Sequence, residues 1–273
     1  MTGLTDRDPR ELAGAWTRYQ EHAFADPAPE LAGFVRSYWA VRWRYATPYR
    51  QKIVPAPMIG FSVTSASPVR VHGVATRFVL RELRTQGWAT GAVLQPGVAR
   101  CLLRGPVSAL TDRVAGLEEL ADPPADGPEL VGTWPDPGPE FAPAAVFRAW
   151  DRWLRPQLAG LVVDAAGRSA AAAVAAVSAD PSLRRVDDLA QHCGIGVRRL
   201  QRLFADHVGA SPKWVLRRSR LQEVTDVLAA GGPVDWAGLA ADLGYADQAH
   251  LTRDFAAIFG EPPTAWARRY PDR

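Results

Sequence analysis

The feature that most restricts this chain is a self-match within its C-terminal third. Leu189-Ala190 followed by Gly194-Ile195 returns fifty residues later as Leu239-Ala240 followed by Gly244-Tyr245. Beyond those glycines the offset becomes fifty-one: Leu200, Arg202, Phe204, Gly209 and Pro212 correspond to Leu251, Arg253, Phe255, Gly260 and Pro263. Such a chain builds one supersecondary unit twice. Each copy reads as a short helix (Val186 to Cys193; Trp236 to Leu243), a glycine that permits a sharp turn, and a second helix (Val197 to His207; Asp247 to Phe259). In the second helices Leu200, Leu203 and Phe204, or Leu251, Phe255 and Ile258, form an apolar stripe at spacings of three and four. Two helices joined in this way make a helix-turn-helix, with Asp247, or Gly196 in the first copy, placed to cap the second helix.

The stripe leaves an outer face. In the first copy it carries Arg198, Gln201 and Arg202; in the second, Gln248, Ala249, Thr252 and Arg253. Arginine pairs with guanine and glutamine with adenine in the major groove, so these faces suit base reading. A solvated arginine-rich face is the plainer reading of a single copy; equivalent arginines in two copies favour DNA. Between the copies, Ser211-Pro212 opens a helix through Trp214, Leu216, Leu221, Val224 and Leu228. It sets the separation of the two readers, about one helical turn of DNA, and its Arg217, Arg218 and Arg220 are candidates for phosphate contacts.

These residues resemble the AraC/XylS family of bacterial transcription regulators. Asp188-Leu-Ala-Gln-His-Cys-Gly-Ile-Gly-Val-Arg-Arg-Leu-Gln-Arg-Leu-Phe204, Gly209-Ala-Ser-Pro212 and Arg220-Leu221 match the family's first unit. Gly244-Tyr-Ala-Asp-Gln-Ala-His-Leu-Thr-Arg-Asp-Phe255 and Gly260-Glu-Pro-Pro263 match its second. The resemblance implies base contacts at Arg198, Gln201, Arg202, Gln248, Ala249, Thr252 and Arg253. It departs at Gly196, where the family often has a capping serine or threonine, and at Ala249, a short side chain for a reader. Phe34-Val-Arg-Ser-Tyr-Trp39, Gly91-Ala-Val-Leu-Gln-Pro-Gly97 and Leu110-Thr-Asp-Arg resemble a small β-rich domain of undetermined role found before this unit, implying a cupin-like or barrel sensor.

At 273 residues the chain suits two domains. The expected division is 1–160, a β-rich sensor or dimerisation domain, and 165–273, the DNA-binding domain; the fold class is α+β, a small β-barrel with flanking helices followed by an all-α domain. Segments rich in Val, Ile, Phe, Trp and Tyr between Phe34 and Leu103, such as Tyr38 to Tyr45, Met58 to Thr64 and Val69 to Val74, read as strands. The prolines between Ala121 and Pro143, Pro128 and Pro139 among them, make that segment a loop. Ala144 to Leu158 reads as a helix burying an aromatic face, and the alanine-valine run Ser169 to Val177 as the first helix of the second domain.

Trp39, Trp43, Tyr45, Phe61, His72 and Trp88 are of the types that wall a ligand pocket, with Trp39, Trp43, His72 and Trp88 the candidates retained; ordinary aromatic core is the competing reading. The net charge of +3, and 14 Lys/Arg against 12 Asp/Glu from Arg168 onward, are too small to indicate nucleic-acid binding by themselves. Cys101 and Cys193 lack metal spacing, and His192 beside Cys193 points elsewhere on a helix, so no metal, cofactor or disulfide is expected. No catalytic motif is recognised, and Cys101, the one candidate for methyl transfer, reads as inert core: the chain is not expected to be an enzyme. The charged start, Met1 to Arg10, and the lack of a long apolar run predict a cytoplasmic protein without membrane association. Expected partners are an operator in double-stranded DNA, a small-molecule effector, a second copy of the chain, and RNA polymerase for an activator.

Overall fold

The computed structural model describes residues 20–124, 134–138 and 140–268; the readings of Met1 to Arg10, Pro128 and Pro139 lie outside them. The described strands are β1 (Gln20–Ala25), β2 (Val35–Arg44), β3 (Tyr49–Ile53), β4 (Gly60–Thr64), β5 (Ser67–His72), β6 (Val79–Leu83), β7 (Gln86–Leu94) and β8 (Val114–Ala115). Six pair antiparallel in the order β1-β2-β7-β4-β5-β8, while β3 and β6 pair as a separate ribbon. The expected small barrel is not seen to close: among the described strands no pair joins β1 to β8, and their pairing is that of an open sheet with a separate ribbon. Strand β1 has a weak apolar pattern of its own. It is an edge strand that aligns on β2 from Gln20 opposite Trp43 to Ala25 opposite Tyr38.

Alternation along β2 sends Tyr38 and Ala40 to one face and Trp39 and Trp43 to the other. The first face is covered by α2 (Ala144–Leu158), whose Val146, Trp150, Trp153 and Leu154 are buried as the sequence spacing predicts. Polar groups are matched as well. Tyr38 Oη and Ala28 N both donate to Asp151 Oδ1, at 2.8 and 3.1 Å. Trp150 Nε1 donates to Thr90 Oγ1 at 3.0 Å, and that hydroxyl donates onward to Trp39 O at 2.7 Å. Phe61 of β4 meets Trp153 edge to face at 5.0 Å between centroids.

The remaining helices are α1 (Ala99–Leu102), α3 (Ala165–Ala179), α4 (Val186–His192), α5 (Val197–His207), α6 (Pro212–Ala230), α7 (Trp236–Asp242), α8 (Gln248–Phe259) and α9 (Pro263–Ala267). Helix α3 begins before the alanine-valine run because Asp164 caps it, accepting from Gly167 N at 2.6 Å. Gly167 in turn lies against Gly97, just beyond β7: a Cβ on Gly97 would stand 2.2 Å from Gly167 O, so the two backbones touch.

A continuous buried cluster runs from Val35 and Tyr38 through Trp150 and α3 into Leu200, Phe204 and Leu216. A separate cluster holds Leu221, Leu243, Leu251, Phe255 and Phe259. The first helix-turn-helix unit thus shares its core with the β-sheet, and the second has a core of its own.

Replacing Thr90 with valine keeps the shape but leaves the fully buried Trp150 indole N–H without its acceptor. The expected loss is about 1–3 kcal/mol in a denaturant titration, with the sheet otherwise intact.

Candidate nucleic-acid interface

The repeat seen in the sequence is repeated in the backbone. In the first unit Gly194 N donates to Gln191 O (3.0 Å) and Ile195 N to Ala190 O (3.0 Å); in the second Gly244 N donates to Ala241 O (2.9 Å) and Tyr245 N to Ala240 O (2.9 Å). Both turn glycines are left-handed, with φ of +63° and +71°, which explains the residue type. Asp247 caps α8 through His250 N at 2.6 Å and Ser211 caps α6 through Trp214 N at 3.2 Å, while Gly196 begins α5 with no side-chain cap. Helices α5 and α8 are fixed by Leu200 and Phe204, and by Leu251 and Phe255, all fully buried.

That burial turns the candidate readers outward. Arg198, Gln201 and Arg202 on α5, and Gln248, Ala249 and Arg253 on α8, are exposed; Thr252 is half-buried. The acidic neighbour of Arg253 does not face the same way. Asp254 lies 2.9 Å from Arg217 Nε of α6, and its carbonyl accepts from Arg217 Nη2 at 3.2 Å.

The arginines of α6, expected as phosphate contacts, are engaged inside the protein. Arg217 holds Asp254. Arg218 Nε donates to Pro55 O at 2.7 Å, and its guanidinium stands 5.1 Å from the Phe259 ring centroid. Arg220 stands 5.0 Å from the Tyr245 centroid and donates to Leu243 O at 3.4 Å. Arg184 makes a two-pronged pair with Glu223, at 2.6 and 3.0 Å. Sequence spacing missed this role because a helix-borne arginine looks alike whether its partner is solvent, phosphate or a distant carbonyl. The basic side chains left exposed on the two units include Arg199, Lys213 and Arg268 besides the readers.

Of the four pocket candidates, the strand registers place Trp39, Trp43 and His72 on one face of the sheet and Trp88 on the other. Trp39 and Trp43 share one sheet face, where their indoles lie against β7 at Gly91 and Gly87; a Cβ at either glycine would stand 2.5 or 2.6 Å from the ring. Ser62 Oγ and His72 Nε2 are 2.6 Å apart. Trp88 pairs with Arg42, one step out of phase with Trp39 and Trp43, and so lies on the opposite face. Phe61 is also on that side, against Trp153. Burial, reinforced by the nearby Arg81 cation, pulls His72 from 6.5 to about 4. Both cysteines are free thiols, no cluster of three potential metal ligands occurs among the described residues, and no described helix is long and apolar enough to cross a membrane.

Residues 189–269 match the family profile of a helix-turn-helix domain, and residues 23–116 that of a domain of unknown function (DUF6597). No curated protein matches the chain significantly. Among solved structures, a transcriptional regulator with an AraC-type DNA-binding domain from Chromobacterium violaceum is 22% identical, over 36% of this chain and 85% of that one, with a TM-score of 0.32. The C-terminal domain of AraT, a response regulator from Geobacillus stearothermophilus, is 17% identical over 40% and 91%, with a TM-score of 0.35. ToxT from Vibrio cholerae O395 is 9% identical over 93% and 99%, with a TM-score of 0.41. The helix-turn-helix match spans the residues of the repeat.

Two outcomes test this geometry. Arg217→Met should lower the melting temperature yet leave the slope of log affinity for DNA against log salt unchanged; a phosphate contact would instead reduce that slope by about one. His72 has a folded-state value below its unfolded value, so the unfolded chain binds the proton more readily. Stability should fall as pH drops from 6.5 toward 4, and His72→Gln should flatten that dependence in pH-resolved denaturation curves.

Proposed function

We propose that this chain, whose C-terminal domain is an AraC-type helix-turn-helix domain, is a sequence-specific transcription regulator that reads two successive major grooves. The observation that carries this is the pair of equivalent helices, α5 and α8, each burying its apolar stripe and exposing an arginine-glutamine face. Arg202 and Arg253 are the guanine readers, Arg198, Gln201 and Gln248 supply further base contacts, and Ala249 and Thr252 pack against the groove. Exposed arginines and helix N-termini hold phosphates and set the register.

On this reading residues 1–160 form a cupin-like receptor or dimerisation module and 165–273 the reading module. A small-molecule effector near Trp39, Trp43 and His72, the face that Trp88 does not share, or pairing of two chains, changes occupancy of the operator, and an activator would also touch RNA polymerase. No catalytic step is assigned.

Selection of bound sequences from a random DNA pool at stated salt is the direct test. Two short blocks about 10 base pairs apart are expected, duplicated only if the chain pairs; no enriched motif removes the reading. Arg253→Ala should then weaken specific binding by about 1–3 kcal/mol and relax one base position, whereas an equal loss on all sequences would make Arg253 a phosphate contact.

A further inference from the structure

The N-terminal half touches both helix-turn-helix units at the same point of the repeat. Gly209 and Gly260, equivalent in the two copies, follow the recognition helices in left-handed conformation, with φ of +81° and +77°. Against Gly209 lies Val107, whose Cγ1 is 2.8 Å from where a Cβ would stand, and Thr111 Oγ1 donates to Gly209 O at 2.6 Å. Against Gly260 lies the Phe78 ring, 3.0 Å from the corresponding point.

The loops bearing these groups are stapled together. The Asp112 carboxylate accepts from Thr76 N and Thr76 Oγ1, both at 2.6 Å. Thr76 O also accepts from Trp214 Nε1, at the start of α6, at 2.9 Å. Lys52 stands 3.5 Å from Glu261, the residue after Gly260, and 5.9 Å from the centroid of Phe78.

We infer that the stapled loops 74–78 and 107–113 are a spacing gauge: by gripping the end of each recognition helix, they determine which separation of the two DNA half-elements is read. The second unit has a core separate from the one that anchors the first unit to the sheet, so its set depends on peripheral contacts: this grip, Val54, and Arg218 between Pro55 and Phe259. A change of two base pairs in separation turns the second groove by roughly 70°, so the angle between the units decides which spacing fits. Thr76, Phe78 and Asp112 are positioning residues and touch no DNA. The inference rests on the two-groove reading proposed above, and the test separates the two.

The full chain is titrated against duplexes carrying the two selected half-elements at the selected spacing, at two base pairs more and two fewer, and against a duplex with one half-element. Wild type should prefer its own spacing by about tenfold or more. Phe78→Ala and Asp112→Gly should reduce that preference to below about threefold, with affinity for the single half-element unchanged within about twofold. Glycine accepts the φ of +58° at position 112, so loss of the carboxylate is the change being read. Asp112→Asn, whose amide accepts from Thr76 N and donates to Thr76 Oγ1, should restore the preference. Retention of the wild-type spacing preference in Phe78→Ala overturns the gauge, even if Asp112→Gly does not fold. If wild type binds the half-elements no better than random duplex, the two-groove reading itself fails.

Discussion

Each recognition helix depends on two side chains: Leu200 and Phe204 in α5, Leu251 and Phe255 in α8, all without solvent exposure. Helices of 11 and 12 residues are marginal in water by themselves, and burying each such side chain stabilises by about 1.5–3 kcal/mol. The same burial sets the rotational phase of the helix. Successive residues are about 100° apart, so a stripe displaced by one position would carry Arg202 or Arg253 away from the outward face. What the helices present is thus fixed by what they bury.

The electrostatics follow from that phase and not from net charge, which is nearly balanced in the C-terminal half. Arg217 draws Asp254 away from the outer face of α8, so the helix does not set a carboxylate beside Arg253. Arg218 and Arg220 lie over aromatic rings and bond backbone carbonyls, joining α6 to a loop of the N-terminal half and to the turn of the second unit. Arginine here has two uses: a half-buried set with partners inside the protein, and an exposed set on the outer faces of the helices. A half-buried guanidinium replaces part of its lost water with carbonyl, carboxylate or ring contacts, and each of these three makes at least one such contact.

The C-terminal architecture was legible because its determinants are local. The glycine turns, the three-and-four stripes and the caps at Ser211 and Asp247 lie within a few residues of the elements they define. The aromatic helix α2 was legible on the same grounds. Strand β1 was not, since Gln20–Ala25 becomes a strand only by pairing with β2. Barrel closure was not legible, because alternation specifies faces but not the order in which strands pair. Trp88 was grouped with Trp39 and Trp43 by residue type, although its odd offset in the ladder puts it on the other face. The fates of Arg217, Arg218 and Arg220 were hidden, their partners lying on other elements.

The contact between Gly97 and Gly167 bears on how such a chain can change over time. Domain shuffling works when the junction between parts is a side-chain surface that repacks or a linker that stretches. Here a turn of the N-terminal half meets the first turn of α3 backbone to backbone, with no room for even a methyl group at Gly97. A foreign N-terminal half joined to this DNA-binding half would need its own glycine at that point and a loop of the same path. The two halves therefore fit as a pair, and a graft that copies only the sheet would leave α3 without its seat.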